Sequence, residues 1–184
     1  DLHSFPTRRS SDLGETAAAI HAARTRLRAV APERLHKELS GILCGRQAAA
    51  LLEEFSDVLF ELIPELAPCQ GFRQYNPHHT RDVWTHTLAV VDGVPPEEPL
   101  RLAALLHDAG KPATFFFDKN LVGHFYGHPA AGAAVTEEVL RRLRYDRATA
   151  EFVTQLVAVH DRPIPDDLRG MRRMLARLGA PVCR

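Results

Sequence analysis

The chain has 184 residues, of which 45% are apolar, and its 23 basic and 23 acidic side chains give a formal net charge of zero. This length allows one ordinary hydrophobic core or two small ones, and the balanced charge excludes attraction to nucleic acid through overall charge alone. No run of about 18 uncharged apolar residues occurs, so no membrane span is predicted. The three cysteines are scattered, which favours a reducing cytoplasmic location over a disulfide framework.

Residues 1–13 do not resemble a natural protein segment. The peptide HSFPTRRSSDL at residues 3–13 matches one reading frame of a common sequencing adapter, and it lacks the apolar centre of a signal peptide. We expect this segment to be an artefact and the true N-terminus of the protein to be missing. The predicted elements therefore begin at residue 14.

Short helices are predicted throughout residues 14–64. The alanine-rich stretch 15–30 has apolar residues near helical spacing, and Pro32 suits the first turn of a second helix. Two more short helices follow at residues 47–54 and 56–62, and a proline ends the last of them. This region is predicted to form a helical neck or body.

A domain boundary is predicted at residues 65–79, which hold two prolines, one glycine and few aliphatic side chains. The second domain would span residues 65–184. In it, Asp82 can cap a helix that runs to about Val91. The next helix, at residues 100–109, is nearly all apolar, which indicates a central and buried position.

Residues 114–126 predict a small β-hairpin or irregular flap. Its aromatic run at residues 115–117 is expected to pack in the core beneath the flap, rather than to stack on bases, because no basic residues interleave with it. The last predicted helices span residues 130–143, 147–159 and 168–178. The predicted fold class is all-α: a helical bundle with a small β-hairpin flap, preceded by short neck helices.

A His-Asp doublet, His107 and Asp108, ends the apolar helix in the segment LLHDAGKP. An ionisable pair at that position is costly to bury unless it is paired or metal-bound. His86, His128 and His160 lie on three other predicted elements, so all four imidazoles could face one cavity. Adjacent imidazole and carboxylate groups bind divalent ions, and other helices must complete the coordination. A metal site inside a helical bundle is therefore predicted; the simpler alternative is a helix end that meets solvent or an arginine.

A mixed site of this kind can activate a water molecule and neutralise charge on a phosphoryl oxygen. Imidazole and carboxylate ligands suit Mg, Mn, Ni, Co, Fe or Zn, and the sequence does not choose among these metals. Lys111 is a candidate catalytic residue that would meet a phosphate, although lysine in Gly-Lys-Pro is also common where helices stop. His124, on the flap, is expected to be a surface histidine.

Three arginines, Arg141, Arg142 and Arg144, form a basic stretch near the end of a predicted helix. They are candidate contacts for RNA phosphates, because Lys and Arg side chains that replace the counterions of phosphates supply most of the affinity for nucleic acid. A solvated helix face is the alternative.

Five segments carry a resemblance to a known family, and they occur in the order APERLHKELSGILCG…LIPEL, QYNPHHTRDVWTHTL, LRLAALLHDAGKP, GHFYGHPAAGA and VLRRLRY. Together they resemble the C-terminal part of bacterial tRNA nucleotidyltransferases, the CCA-adding enzymes, including its HD superfamily phosphohydrolase domain. The resemblance covers residues 15–178 and implies that residues 15–64 bind tRNA. No Gly-Gly-x-Val-Arg-Asp segment of the polymerising head is found, so we expect no CCA addition by this chain.

By this resemblance, the metal ligands of the family are matched by His86, His107, Asp108, His128 and His160. Asp108 would bridge two divalent ions if two bind. The implied reaction is attack of water on a phosphoester, such as a 2′,3′-cyclic phosphate or a phosphomonoester. The last aspartate ligand of the family would be Asp161 or would lie beyond Arg184.

The function expected from the sequence is that of a fragment of a tRNA nucleotidyltransferase that retains RNA-binding helices and a metal-dependent phosphohydrolase domain. Two alternatives stay open: a free-standing HD-domain hydrolase that acts on a nucleotide, and a non-catalytic RNA-binding helical module. The expected partners are tRNA or another RNA and a phosphoester substrate, with no membrane.

Overall fold

The structure is a computed structural model that describes residues 10–75 and 81–178. Over this part of the chain it has ten α-helices, two 3₁₀ helices and one antiparallel hairpin, which confirms the predicted all-α bundle with a small flap. The α-helices are α1 (Ser10–Ala23), α2 (Pro32–Leu43), α3 (Ala48–Glu54), α4 (Ser56–Leu62), α5 (Val83–Gly93), α6 (Glu98–Leu106), α7 (Lys111–Thr114), α8 (His128–Arg142), α9 (Arg147–Val159) and α10 (Leu168–Leu178). The 3₁₀ helices are Arg24–Ala29 and Pro64–Cys69, and the strands are β1 (Phe116–Phe117) and β2 (Gly123–His124). Among these described helices, none combines the length and the apolar character needed to cross a bilayer.

The helix α1 begins at Ser10, so it includes the last four residues of segment 1–13. The remaining nine residues of that segment lie outside the described part of the chain. The assignment of residues 1–13 to a sequencing adapter therefore stays a prediction.

Two aspartates fix where α5 and α9 begin. Asp82 Oδ1 accepts a hydrogen bond from the Thr85 backbone N–H at 2.7 Å, as expected for a helix cap at this position. At the start of α9, Asp146 Oδ1 likewise accepts a hydrogen bond from the Thr149 backbone N–H at 3.0 Å. Each carboxylate satisfies an otherwise unpaired donor of the first helical turn and complements the positive end of the helix dipole. These caps set the start of the two helices that carry His86 and lead to His160.

One hydrophobic core joins the two predicted regions. The helix α3 packs against α5, and α2 packs against α6. Side chains that are buried in this core come from both sides of residue 64 and include Leu43, Ile63, Trp84 and Leu105. The predicted linker begins with a 3₁₀ helix rather than an open loop, because Leu66 and Cys69 are buried in the same core. The boundary predicted after residue 64 does not separate two hydrophobic cores.

The aromatic run of the flap divides between the core and the surface. Phe115 packs edge-on against Phe72, with ring centroids 5.3 Å apart, whereas Phe116 and Phe117 are 42% and 46% exposed. The expectation that the whole run lies in the core is therefore wrong for the last two rings. Successive side chains of a strand point to opposite faces, and the hairpin, in which Phe116 pairs with His124, has only two residues in each strand. So narrow a ribbon leaves part of both faces open to solvent.

An ion pair fastens α8 to the 3₁₀ helix that follows α4. Arg142 Nη1 and Nη2 donate hydrogen bonds of 2.8 Å to the two carboxylate oxygens of Glu65, and both side chains are partly buried. Burial alone would raise the pKa of Glu65, but the hydrogen bonds from Arg142 outweigh it and lower this pKa below its ordinary value. The pair therefore stabilises the fold fully above the unfolded carboxyl pKa of about 4.3, and this contribution is lost as the pH falls through the folded pKa of Glu65.

Arg142→Ala should lower the free energy of unfolding by about 1 kcal/mol near neutral pH, because partly exposed ion pairs contribute about 0.2–1 kcal/mol. The loss should be smaller at a pH below the unfolded carboxyl pKa of about 4.3, because the pair loses its contribution as Glu65 is protonated. Urea unfolding of the wild type, Arg142→Ala, Glu65→Gln and the double variant measures the coupling at both pH values. Arg141→Ala is the matched control, because Arg141 pairs with Glu138 on the exposed surface of the same helix. A coupling of zero near neutral pH would contradict a stabilising pair.

Candidate metal centre

Five side chains from the ends of four helices converge at one point of the bundle. His86 lies near the start of α5, and His107 and Asp108 directly follow α6. His128 is the first residue of α8, and His160 directly follows α9. The structure thus brings together all five residues that the sequence predicts as metal ligands.

Asp108 lies at the centre of this cluster and is only 1% exposed. Its Oδ2 atom is 3.1 Å from Nε2 of His107 and 3.7 Å from Nε2 of His86. Its Oδ1 atom is 3.5 Å from Nε2 of His128 and 3.6 Å from Nε2 of His160. Each carboxylate oxygen therefore faces its own pair of imidazole nitrogens.

The cluster divides into two groups of converging ligand atoms that share Asp108. Within each group the ligand atoms lie within 4.8 Å of one another. The first group is His86, His107 and Asp108, and the second is Asp108, His128 and His160. Three protein ligands are typical of catalytic metal sites, which keep a position for water or substrate, whereas structural zinc sites use four. The arrangement therefore fits one open metal site, or two that Asp108 bridges.

The carboxylate of Asp108 is buried without the hydrogen bonds that such a group needs. Neither oxygen accepts a hydrogen bond within the described part of the chain, although Lys111 Nζ lies 2.8 Å from Oδ2. Burial alone would raise the pKa of Asp108, but attraction to His107, His160 and Lys111 outweighs it and holds this pKa well below its usual range. The group is therefore ionised. A buried, ionised carboxylate of this kind fits a metal ion, because a metal ligand bond replaces its lost hydration.

Three of the four imidazoles are held by the same local hydrogen bond. In each, Nδ1 donates to the backbone carbonyl oxygen three residues earlier. The pairs are His107–Ala104 at 2.8 Å, His128–Phe125 at 2.9 Å and His160–Val157 at 2.7 Å. A carbonyl oxygen only accepts hydrogen bonds, so Nδ1 carries a proton and Nε2 is the nitrogen that faces Asp108. Metal-bound histidines almost always make this second hydrogen bond, which fixes the ring and makes the ligating nitrogen more basic.

The second group brings two nitrogens unusually close together. Nε2 of His128 and Nε2 of His160 lie 3.2 Å apart, and both rings already donate their Nδ1 hydrogen elsewhere. Burial lowers the pKa of His128, so this ring is neutral near pH 7. Burial also acts to lower the pKa of His160, but attraction to Asp108 and the hydrogen bond to the Val157 carbonyl outweigh it and raise this pKa. Two lone pairs that face one carboxylate oxygen repel each other unless a shared proton or metal ion lies between them.

Lys111 and Gln74 form a buried chain behind Asp108, and the sequence did not indicate Gln74. Lys111 is 5% exposed, and its Nζ donates a hydrogen bond of 2.8 Å to Gln74 Oε1. Gln74 Nε2 in turn donates to the Arg81 carbonyl oxygen at 3.0 Å. Lys111 thus offsets the charge of Asp108 and orients it. A direct contact of Lys111 with phosphate stays a prediction, and it would compete with the hydrogen bond to Gln74.

A cavity of about 350 Å³ opens in front of the cluster. This volume lies in the range of about 300–1,000 Å³ that is usual for small-molecule sites. Besides the cluster itself, Lys111, His124, Tyr126 and Asp161 line it. Asp161 belongs to neither group of converging ligand atoms among the residues that the structure describes, so its role as a last metal ligand stays a prediction.

The three arginines predicted to contact RNA lie at the far end of α8 from His128. A helix of this length separates its ends by about 20 Å. Arg141 and Arg142 form ion pairs with Glu138 and Glu65, whereas Arg144 is exposed just beyond the helix with a positive φ of 59°. The structure therefore does not bring these arginines to the candidate metal centre, and their RNA contact stays a prediction.

A close approach of two backbones places His128 beside Asp108. Gly110, just after the doublet, runs against the first turn of α8. A Cβ atom built on Gly110 would lie 2.4 Å from the His128 carbonyl oxygen and 2.5 Å from the Gly132 amide nitrogen. Backbone atoms cannot move aside as a flexible side chain does. Glycine at this position therefore sets the distance between α8 and the segment that carries Asp108.

Gly110→Ala should push α8 away from Asp108, with a loss of about 1–3 kcal/mol in the free energy of unfolding, as is typical of overpacking. Urea unfolding measures this loss, and calorimetric titration with Mn²⁺ should show weaker binding by the same variant. Gly41→Ala is the matched control, because nothing lies within 4 Å of a Cβ at this exposed position in α2; it should gain up to about 1 kcal/mol. If Gly110→Ala has the same free energy of unfolding as the wild type, the backbones of Gly110 and α8 are not in tight contact.

Two family models match this chain, one over each part. The model of the HD domain matches residues 78–179, which is more than half of the chain. The model described as "Probable RNA and SrmB- binding site of polymerase A" matches residues 14–69. A segment similar to that second model therefore precedes an HD domain.

The chain is also similar to tRNA nucleotidyltransferases. It is 37% identical over 183 residues to the CC-adding tRNA nucleotidyltransferase of Thermus thermophilus, an alignment that covers 94% of this chain and 41% of that protein. It is 35% identical over 153 residues to the A-adding tRNA nucleotidyltransferase of Deinococcus radiodurans, with 79% and 35% covered. It thus spans well under half the length of these relatives. These matches confirm the resemblance drawn from the five sequence segments, and the chain belongs to the HD domain family.

Proposed function

We propose that this chain is a divalent-metal-dependent phosphohydrolase joined to an RNA-binding segment. The observation that carries the proposal is the buried carboxylate of Asp108, whose two oxygens each face two imidazole Nε2 atoms. This donor set would hold one or two divalent ions, and it suits Mg, Mn, Ni, Co, Fe or Zn. A divalent ion at such a site lowers the pKa of a water ligand towards neutrality and offsets charge on a phosphoryl oxygen.

The residues of the chain supply position and charge for this reaction. Backbone carbonyls hold the rings of His107, His128 and His160, and Lys111 steadies the carboxylate of Asp108. The cavity in front of them would admit a phosphoester. In the proposed hydrolysis, a water oxygen forms a bond to phosphorus, the ester P–O bond breaks, and the leaving oxygen takes up a proton. The proposed substrates are 2′,3′-cyclic phosphates and phosphomonoesters.

The RNA-binding part of the proposal is supported by the match over residues 14–69 and by the names of the relatives, which are tRNA nucleotidyltransferases. Basic side chains that are exposed in this segment include Arg34, Lys37 and Arg46. We propose tRNA or another RNA as the partner, and a place for this chain within a tRNA nucleotidyltransferase. A cytoplasmic location would suit this partner and the free thiols of Cys44 and Cys69.

Asp108→Asn removes the charge that both ligand groups share. It should weaken Mn²⁺ binding by about 100-fold or more, since the loss of an outer hydrogen-bond partner already costs about 10–100-fold. Hydrolysis of 2′,3′-cyclic AMP should disappear, and His107→Ala should behave in the same way. Titration calorimetry and a phosphodiesterase assay measure the two effects. Asp82→Asn is the matched control, because asparagine still caps α5 and position 82 lies outside the ligand groups.

Circular dichroism must show that each variant is folded before its activity is compared. The proposal fails if the folded wild-type chain binds no divalent ion and hydrolyses no phosphoester in the presence of any of the six metals. The chain would then be a non-catalytic RNA-binding module, and the cluster around Asp108 would be a structural remnant.

Arg144→Ala should weaken the binding of tRNA and lower the slope of log Kobs against log[salt] by about 1, because one phosphate contact is lost. Arg144 is exposed and has no ion pair among the described residues, whereas Arg141 already pairs with Glu138. Arg141→Ala should therefore change the slope less. Filter retention from about 50 to about 300 mM salt measures both slopes. A wild-type affinity that does not respond to salt would argue against phosphate contacts.

A further inference from the structure

The flap carries an exposed aromatic surface that the proposed hydrolysis does not use. It consists of Phe116, His124 and Tyr126, which we name the flap ladder. His124 stacks on Phe116, with ring centroids 5.5 Å apart and planes at 27°, and on Tyr126, at 5.2 Å and 29°. Tyr126 is 74% exposed. The ladder therefore presents open aromatic ring faces to solvent.

The hairpin register explains why Phe116 and His124 share one face. Phe116 lies opposite His124 in the strand pair, and Tyr126 follows His124 by two residues. Side chains directly opposite each other in a strand pair lie on the same face. Tyr126 lies in the turn beyond β2 and joins this face through its ring contacts with Phe116 and His124.

The carboxylate of Asp118 holds the turn of the flap and the His124 ring of the ladder in place. Asp118 Oδ1 accepts hydrogen bonds from the backbone N–H groups of Asn120 and Val122 at 2.8 and 2.9 Å, which closes the turn of the flap. Its Oδ2 accepts a hydrogen bond from His124 Nε2 at 3.0 Å. The hydrogen bond from His124 also lowers the pKa of Asp118, so this carboxyl stays ionised. The His124 ring, on which Tyr126 stacks, is thereby held in place, which lowers the conformational entropy lost when a flat ligand packs against this surface.

The ladder borders the candidate metal centre. His124 and Tyr126 line the same cavity as Asp108. Tyr126 comes two residues before His128, whose Nε2 is 3.5 Å from Asp108 Oδ1. Two residues of chain span at most about 7 Å, which is comparable with the separation of phosphate and base in a single nucleotide. A phosphoester at Asp108 would therefore bring a base attached to it within reach of the ladder.

We infer that the flap ladder binds the nucleobase of the substrate, with Tyr126 as the stacking residue, while the phosphoester lies beside Asp108. This inference rests on the proposed hydrolysis and narrows its substrates to nucleoside phosphates, either free or at the end of an RNA strand. Aromatic side chains stack on any base, because every base has a flat π face. The site is therefore selective for the presence of a base rather than for its identity.

The kinetic test compares 2′,3′-cyclic AMP with glycerol 1,2-cyclic phosphate, which has no base. Tyr126→Ala should raise KM for the nucleotide about 5- to 100-fold and leave KM for the base-free ester within about twofold. Tyr126→Phe keeps the ring and should restore the wild-type KM. Phe117→Ala is the matched control, because Phe117 packs edge-on against Tyr75 away from the ladder. Equal changes for both esters, or no change for either, would overturn the inference.

A fluorescence test does not depend on turnover. Stacking quenches 2-aminopurine, so the wild type and Tyr126→Phe should quench 2-aminopurine riboside 2′,3′-cyclic phosphate in EDTA, and Tyr126→Ala should not. Equal quenching by all three proteins, or none by the wild type, would overturn the inference. Quenching by the wild type without hydrolysis of any ester would support the base site and contradict the proposed hydrolysis.

A short oligoribonucleotide with a terminal 2′,3′-cyclic phosphate separates the two sources of the base. A KM well below that of the mononucleotide, with the same rise on Tyr126→Ala, assigns the ladder to RNA ends. An equal KM with the same rise assigns it to free nucleotides. If Tyr126→Ala leaves the KM for the oligoribonucleotide unchanged, the inference is wrong for RNA ends. If this substitution also leaves the KM for the mononucleotide unchanged, the inference is overturned altogether.

Discussion

The burial of one carboxylate is the constraint on which the rest of the structure depends. Removing an ionised carboxylate from water costs several kcal/mol unless opposite charge or hydrogen bonds replace the lost hydration. Asp108 reaches its position because α6, with Leu102, Leu105 and Leu106 fully buried, runs through the centre of the core. An apolar side chain at the same position would pack there at lower cost. A charge in such a place, with imidazoles converging on it, marks a candidate binding site rather than a source of stability.

The direction of the histidines is set locally, at the ends of helices. The last carbonyl groups of a helix lack partners within the helix, and His107 and His160, each just past a helix end, donate to one of these carbonyls. Each ring is thus aimed by a hydrogen bond that spans three residues, before any contact with another helix is made. Packing of the helices then brings these helix ends together. Glycine at position 110 allows the segment with Asp108 to lie close to the first turn of α8.

The sequence predicts those features of the protein that depend on neighbouring residues, and it predicts poorly the contacts between residues that are far apart in the chain. Apolar periodicity and capping residues such as Asp82 gave the helices, and the doublet with its three distant histidines indicated the cluster. The partner of Arg142 could not be predicted, because Glu65 lies 77 residues away and surface arginines carry no mark of their partners. Gln74 was missed for a similar reason: one glutamine in a loop forms no pattern. The exposure of Phe116 depends on what covers the flap, which local sequence does not encode.

The continuous core has a consequence for the segment that resembles an RNA-binding site. Leu43 and Ile63 belong to the same packed cluster as Trp84 and Leu105, and Leu105 comes two residues before the doublet. A ligand that binds only the native state adds RT ln(1 + [L]/Kd) to the stability of the whole cooperative unit. Occupancy beside Asp108 would therefore slow amide hydrogen exchange in α2 and α4, with no movement of either helix. By thermodynamic linkage, a metal ion bound at the candidate centre would stabilise the segment of residues 14–69 through the shared core alone.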